Sequence, residues 1–141
     1  MIKEINFKLE QLGEYVSILR EYQQYDIEEV MNSHTLRGGA IERYMEVSLA
    51  CMIDICEMVI SIEKLRRPDT YREVILVLGQ RGILPEDFSR KLAPAAGFRN
   101  VLVHMYADID IGKLYSHLQN DIVDLELFAG YIAKYLISRY R

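Results

Sequence analysis

The residues best equipped for chemistry fall within one stretch, GFRNVLVHMYADID at positions 97–110, which sets Arg99, Asn100, His104 and Tyr106 in a run otherwise apolar enough for a buried helix. A histidine, with an ordinary pKa of about 6.5, takes up and delivers protons near neutrality. An arginine presents a planar fork of N–H donors that fits a phosphate and stays charged at any physiological pH. Proton transfer beside a bound phosphate is therefore the chemistry this stretch can serve.

On a helical wheel advancing about 100° per residue, Phe98, Val101, Leu102 and Met105 share one side and form a core stripe. Arg99 and Tyr106 fall near one edge of the opposite side, Asn100 and His104 near the other, and Val103 sits between them. Arg99 and His104 are thus separated by about 140° in angle and about 7.5 Å in rise, and one helix aims them at a common point only with difficulty. A second copy packed across Val103 about a two-fold axis would bring Arg99 of one chain toward His104 of the other. The stretch accordingly predicts a homodimer with a symmetric cleft holding two arginines and two histidines.

Other chemistries lack their residues. His34 and His117 are set aside for want of a carboxylate or cysteine at ligand spacing, and there is no Glu-x-x-His pair for a di-metal bundle. Neither a phosphate-binding glycine loop nor a Gly-x-Ser-x-Gly elbow occurs. Cys51 and Cys56 are expected to be apolar filler, lying about 140° apart on one helix where they cannot bridge. Met45, Met52 and Met58 at helical spacing are expected in the core. No metal and no cofactor is expected.

The elements that position the stretch follow from periodicity. Ile2, Ile5, Leu9, Leu12, Val16 and Leu19 step by threes and fours and predict a first helix. Gly38 and Gly39 disfavour its continuation and mark a turn. A long helix over about 40–65 carries one stripe at Ile41, Met45, Ser48, Met52, Ile55, Val59 and Ile62, with a flanking stripe at Tyr44, Val47, Cys51, Asp54 and Met58. Asp54 interrupts that apolar flank, and a buried carboxylate needs a partner. Pro68 ends this helix, and Thr70 with Glu73 reads as a capping box for a short third one that stops near Gly79–Gly82. Pro85, Glu86 and Asp87 open a fourth, expected to kink or restart at Pro94 and to run through Tyr106. Asp108 or Asp110 caps the last, which carries Leu114, Leu118, Ile122, Leu125, Ala129, Ile132 and Leu136 on one side. The fold class is all-α, an antiparallel bundle of four or five helices in a single domain spanning 1–141.

At 141 residues, half of them apolar, the chain can bury one core. Apolar runs stop well short of the ~20 residues that span a bilayer, and two cysteines with no recognisable leader suit a cytoplasmic protein with no membrane partner. A net charge of −4 argues against a broad phosphate-gripping face. It leaves room for a local basic site among Arg66, Arg67, Arg81, Arg90, Lys91 and Arg99.

The pattern from Arg99 through His104 to Tyr106 resembles the Arg-x-x-x-x-His-x-Tyr motif of the HEPN superfamily, specifically its HepT-like toxins. AIERYMEVSLACMIDICEMVI is similar to that family's long second helix and PDTYREVILVLGQRGILPEDF to its third, so the likeness runs from about residue 40 onward. It implies a homodimeric HEPN-like bundle acting as a metal-independent ribonuclease, with Arg99 and His104 of both protomers as catalytic residues and a 2′,3′-cyclic phosphate product. It also implies a minimal nucleotidyltransferase antitoxin that neutralises the toxin by AMPylation of the motif tyrosine, here Tyr106. Asn100 either orients the RNA phosphate or sugar or serves as a surface hydrogen-bonder. The alternative function is a non-catalytic nucleotide- or substrate-binding subunit of a nucleotidyltransferase complex, and a plainer one is a dimeric helical scaffold.

Overall fold

The computed structural model describes residues 1–30, 36–104 and 110–140. Six helices follow in order: α1 (Ile2–Tyr22), α2 (Ile27–Val30), α3 (Leu36–Ile62), α4 (Tyr71–Gln80), α5 (Glu86–His104) and α6 (Ile111–Arg139). Five are long, and the four-residue α2 is an addition that periodicity does not reveal at that length. The chain is all-α among the described residues, in agreement with the expected class.

α1 buries Ile5, Leu12, Val16 and Leu19, the centre of its predicted stripe. It runs antiparallel to α3, with Lys8 beside Asp54 and Tyr15 against Tyr44. Asp54 is not a buried carboxylate: its side chain is 48% exposed and meets Lys8 Nζ at 3.1 Å, an ion pair between helices at the rim of the core. α3 begins before Gly38 and Gly39 and continues through both, so the turn expected there is absent. Glycine costs a helix about 1 kcal/mol, an amount that packing of a 27-residue element readily offsets. Its main stripe is buried as expected, but the fully apolar flank is Leu49, Ile53, Cys56 and Ile60, on the opposite side from the half-buried Tyr44, Val47 and Met58. α3 consequently packs against α1 as well as α4 and α5.

Thr70 caps α4, its hydroxyl oxygen accepting the Glu73 amide at 3.2 Å. Gly82, at φ +75, lets the chain reverse directly into α5. α4 and α5 form an antiparallel hairpin whose closed end brings Gly79 against Ser89 and whose open end brings Tyr71 against Arg99. α5 passes through Pro94 as one helix rather than restarting. Pro94 is exposed, so water can satisfy the carbonyl one turn earlier that loses its amide partner.

Asp110, not Asp108, is the cap observed for α6, accepting the Lys113 amide on Oδ1 at 3.1 Å; Asp108 lies outside the described residues. Removing the acceptor by Asp110→Ala is expected to lower unfolding free energy by about 1 kcal/mol in urea titration, with the slope unchanged. α6 is antiparallel to α5 through Phe88–Tyr131 ring contact and the Lys91–Asp124 ion pair at 3.2 Å, whose carboxylate is nearly buried. At its far end, Tyr135 and Arg139 both donate to Glu63 just beyond α3. The Tyr135 hydroxyl, then Arg139, holds the Glu63 carboxyl below the usual range.

Among the described residues no helix is long and apolar enough to cross a membrane.

Candidate functional site

The chemistry-bearing stretch forms the last turns of α5. Phe98 and Leu102 are buried, Val101 and Val103 half-buried, and Asn100 exposed. Phe98, Leu102 and Asn100 lie as the wheel has them, whereas Val103, expected in the middle of the outward face, is as covered as Val101 of the core stripe. His104 ends the helix, five residues beyond Arg99, and its backbone alone is described. Tyr106, Met105 and His34 lie outside the described residues.

Arg99 is half-buried and reaches over α4, with its guanidinium carbon 5.2 Å from the centre of the Tyr71 ring. Such a stack is worth about 0.5–2 kcal/mol, depending on how far water is excluded. Its Nε is buried with no hydrogen-bond partner, and no carboxylate among the described residues pairs with the guanidinium. Other members of the basic set are differently placed: Arg67 pairs with Glu57, Arg90 with Glu86 and Asp87, and Lys91 with Asp124.

On the side facing α6, the Phe98 ring stacks on His117, with centroids 3.9 Å apart and planes tilted by 16°. His117 Nδ1 lies 2.6 Å from Asp121 Oδ2. The sequence reading set His117 aside for lacking a carboxylate, and the structure corrects this: Asp121 lies four residues on, one helical turn away. That i, i+4 spacing was the signal to follow. Both side chains are largely covered, and the pair fixes the imidazole plane against Phe98 immediately before Arg99.

Cys51 and Cys56 are free and buried, as expected of filler. Burial pushes the Cys51 thiol up to about 11, and it donates to the Lys8 carbonyl at 3.1 Å. Burial raises Cys56 further still, so neither offers a thiolate nucleophile. Among the described residues no three His, Cys, Asp or Glu side chains gather into a metal cage. A cavity of about 920 Å³ beside Gln80, Arg81, Tyr131, Lys134 and Tyr135 opens at the other end of α5, and none of the motif residues lines it.

A family model described as ribonuclease HepT-like matches residues 12–132. The tRNA nuclease HepT of Aphanizomenon flos-aquae is 28% identical over 134 residues, covering 95% of this chain and 90% of that protein. Among solved structures, the cytosolic protein of unknown function YutE from Bacillus subtilis superposes with a TM-score of 0.85 at 20% identity, covering 98% of this chain and 92% of that one. The tri-AMPylated Shewanella oneidensis HEPN toxin in complex with its MNT antitoxin superposes with a TM-score of 0.78 at 21% identity, covering 92% and 96% respectively.

Proposed function

Because the chain belongs to the ribonuclease HepT-like family, we propose that it is a ribonuclease toxin that cuts RNA without metal at a cleft shared by two protomers. The observation that carries this reading is Arg99: a half-buried guanidinium, with no carboxylate partner among the described residues and set over an aromatic ring, five residues before a histidine on one helix. The relative named as a tRNA nuclease makes tRNA the first substrate to test.

In the proposed reaction the RNA 2′-hydroxyl attacks the adjacent phosphorus. One His104 removes the hydroxyl proton, the O2′–P bond forms, the P–O5′ bond breaks, and the second His104 protonates the departing oxygen. Two-fold symmetry supplies the acid and the base from a single residue type. Arg99 neutralises charge on the phosphoryl oxygens, and exposed Asn100 is placed to orient phosphate or sugar.

A minimal nucleotidyltransferase is the proposed partner, supported by the fold shared with an AMPylated toxin bound to its antitoxin. Tyr106, seven residues after Arg99 in the sequence, is the proposed acceptor. AMP added there introduces a negative phosphodiester that competes with RNA for Arg99, and a nucleoside that fills the cleft.

Purified, unmodified chain should cleave tRNA in the presence of EDTA and leave 2′,3′-cyclic phosphate ends, while sedimenting as a dimer. Intact RNA together with tight binding to the nucleotidyltransferase would instead mark the chain as a non-catalytic binding subunit.

A further inference from the structure

We infer that Tyr71 is a positioning residue for the proposed reaction: its ring presents the Arg99 guanidinium to the scissile phosphate without consuming the donors or the charge that the phosphate needs. This inference rests on Arg99 being the phosphate ligand.

A long arginine side chain has many rotamers, and that freedom must be surrendered when it grips a planar anion. A carboxylate partner would remove that freedom, but it would also occupy the forked N–H edge and cancel the charge. An aromatic face restrains the guanidinium plane through its π cloud and leaves the edge donors pointing outward. The Tyr71 ring lies beneath the Arg99 guanidinium carbon, 5.2 Å from its centre. The buried, unpartnered Nε is a second mark of this arrangement. A solvated arginine would swing out and hydrate that group, so the stacked pose is held against a desolvation cost.

The platform is itself fixed. Tyr71 is the first residue of α4, next to the Thr70 cap, and is half-buried against the core. Its place opposite Arg99 follows from the hairpin register, which brings Gly79 against Ser89 at the other end.

The test uses the full-length protein with two readouts. One is tRNA cleavage; the other is binding of a fully 2′-O-methylated RNA, which lacks the nucleophile and reports phosphate contacts alone. Tyr71→Phe keeps the ring and should stay within about threefold of the parent in both. Tyr71→Leu should lower kcat/KM about tenfold, weaken binding, and reduce the salt dependence of binding toward that of Arg99→Ala, with a slope change of about 0.7 for one phosphate contact on a single strand. In an Arg99→Ala background the same substitution should add nothing to the binding loss. Phenylalanine of increasing ring fluorination at position 71 keeps the shape while draining the π cloud. A progressive fall in kcat/KM across that series supports the inference even if Tyr71→Leu does not fold.

A flat response to fluorination overturns it, as does equal weakening by Tyr71→Leu with and without Arg99, since the ring would then touch RNA itself. If Arg99→Ala leaves cleavage and binding unchanged, the phosphate role of Arg99 fails first. That result is separable from loss through Arg99 with no response at Tyr71, which sinks this inference alone.

Discussion

His104→Ala should reduce cleavage of tRNA by the purified chain roughly 10²–10⁴-fold, the range that a positioned general acid or base contributes. The loss should appear chiefly in kcat, because the imidazole acts on protons in flight and adds little to ground-state binding. Arg99→Ala should be comparably slow and should also bind RNA more weakly, because its guanidinium contacts the phosphate before and during the reaction. Mixing the His104→Ala variant with the parent chain gives a sharper result. The proposed cleft takes its base from one protomer and its acid from the other, so a heterodimer with a single His104 lacks one of the two. With subunit exchange confirmed, an excess of His104→Ala should therefore suppress tRNA cleavage by the parent. Cleavage that stays proportional to the amount of parent chain would confine the reacting groups to single chains and remove the shared cleft.

The second large effect is on stability. Gly79→Ala would place a Cβ 1.9 Å from Ser89 Oγ and 2.6 Å from Ser89 Cβ, far inside van der Waals contact. Ser89 is buried and its hydroxyl donates to the Glu86 carbonyl at 2.7 Å, so it cannot swing away without losing a bond. Overpacking of this kind costs typically 1–3 kcal/mol, against a helix-propensity gain of about 1 kcal/mol for alanine over glycine, and here the upper end applies because a Cβ, not a flexible tip, is struck. A net loss of about 2 kcal/mol is expected in urea unfolding. Ser89→Ala should not relieve it, because the struck Cβ remains; Ser89→Gly should. RNA cleavage by Gly79→Ala should fall as well, since separating the closed end of the hairpin shifts Tyr71 relative to Arg99 at the open end.

Periodicity exposed what lies along one helix and hid what lies between helices. The stripes of α1 and α6, the Thr70 cap and the inward turn of Phe98 and Leu102 were all legible, because each depends on residues within a few positions of one another. Gly38–Gly39 and Pro94 misled for a related reason: their local cost was weighed without the packing or hydration that offsets it. The flank of Leu49, Ile53, Cys56 and Ile60 was passed over because α3 is apolar on several sides, and nothing within it says which side meets α1. Tyr71 was beyond reach. Its partner lies 28 positions away across a hairpin, with Gly79 close against Ser89 at the other end. The His117–Asp121 pair was within reach and was missed, since one helical turn separates the two.

Consecutive residues of α5 are gripped by different neighbours: Phe98 by His117 on α6, and Arg99 by Tyr71 on α4. The helix cannot spin about its own axis in either direction without surrendering one grip, which makes the pair a torsional lock. A second subunit docking here, as the proposed cleft requires, would meet a rigid template, and the free energy of association would go into contact instead of into freezing a rotating spindle.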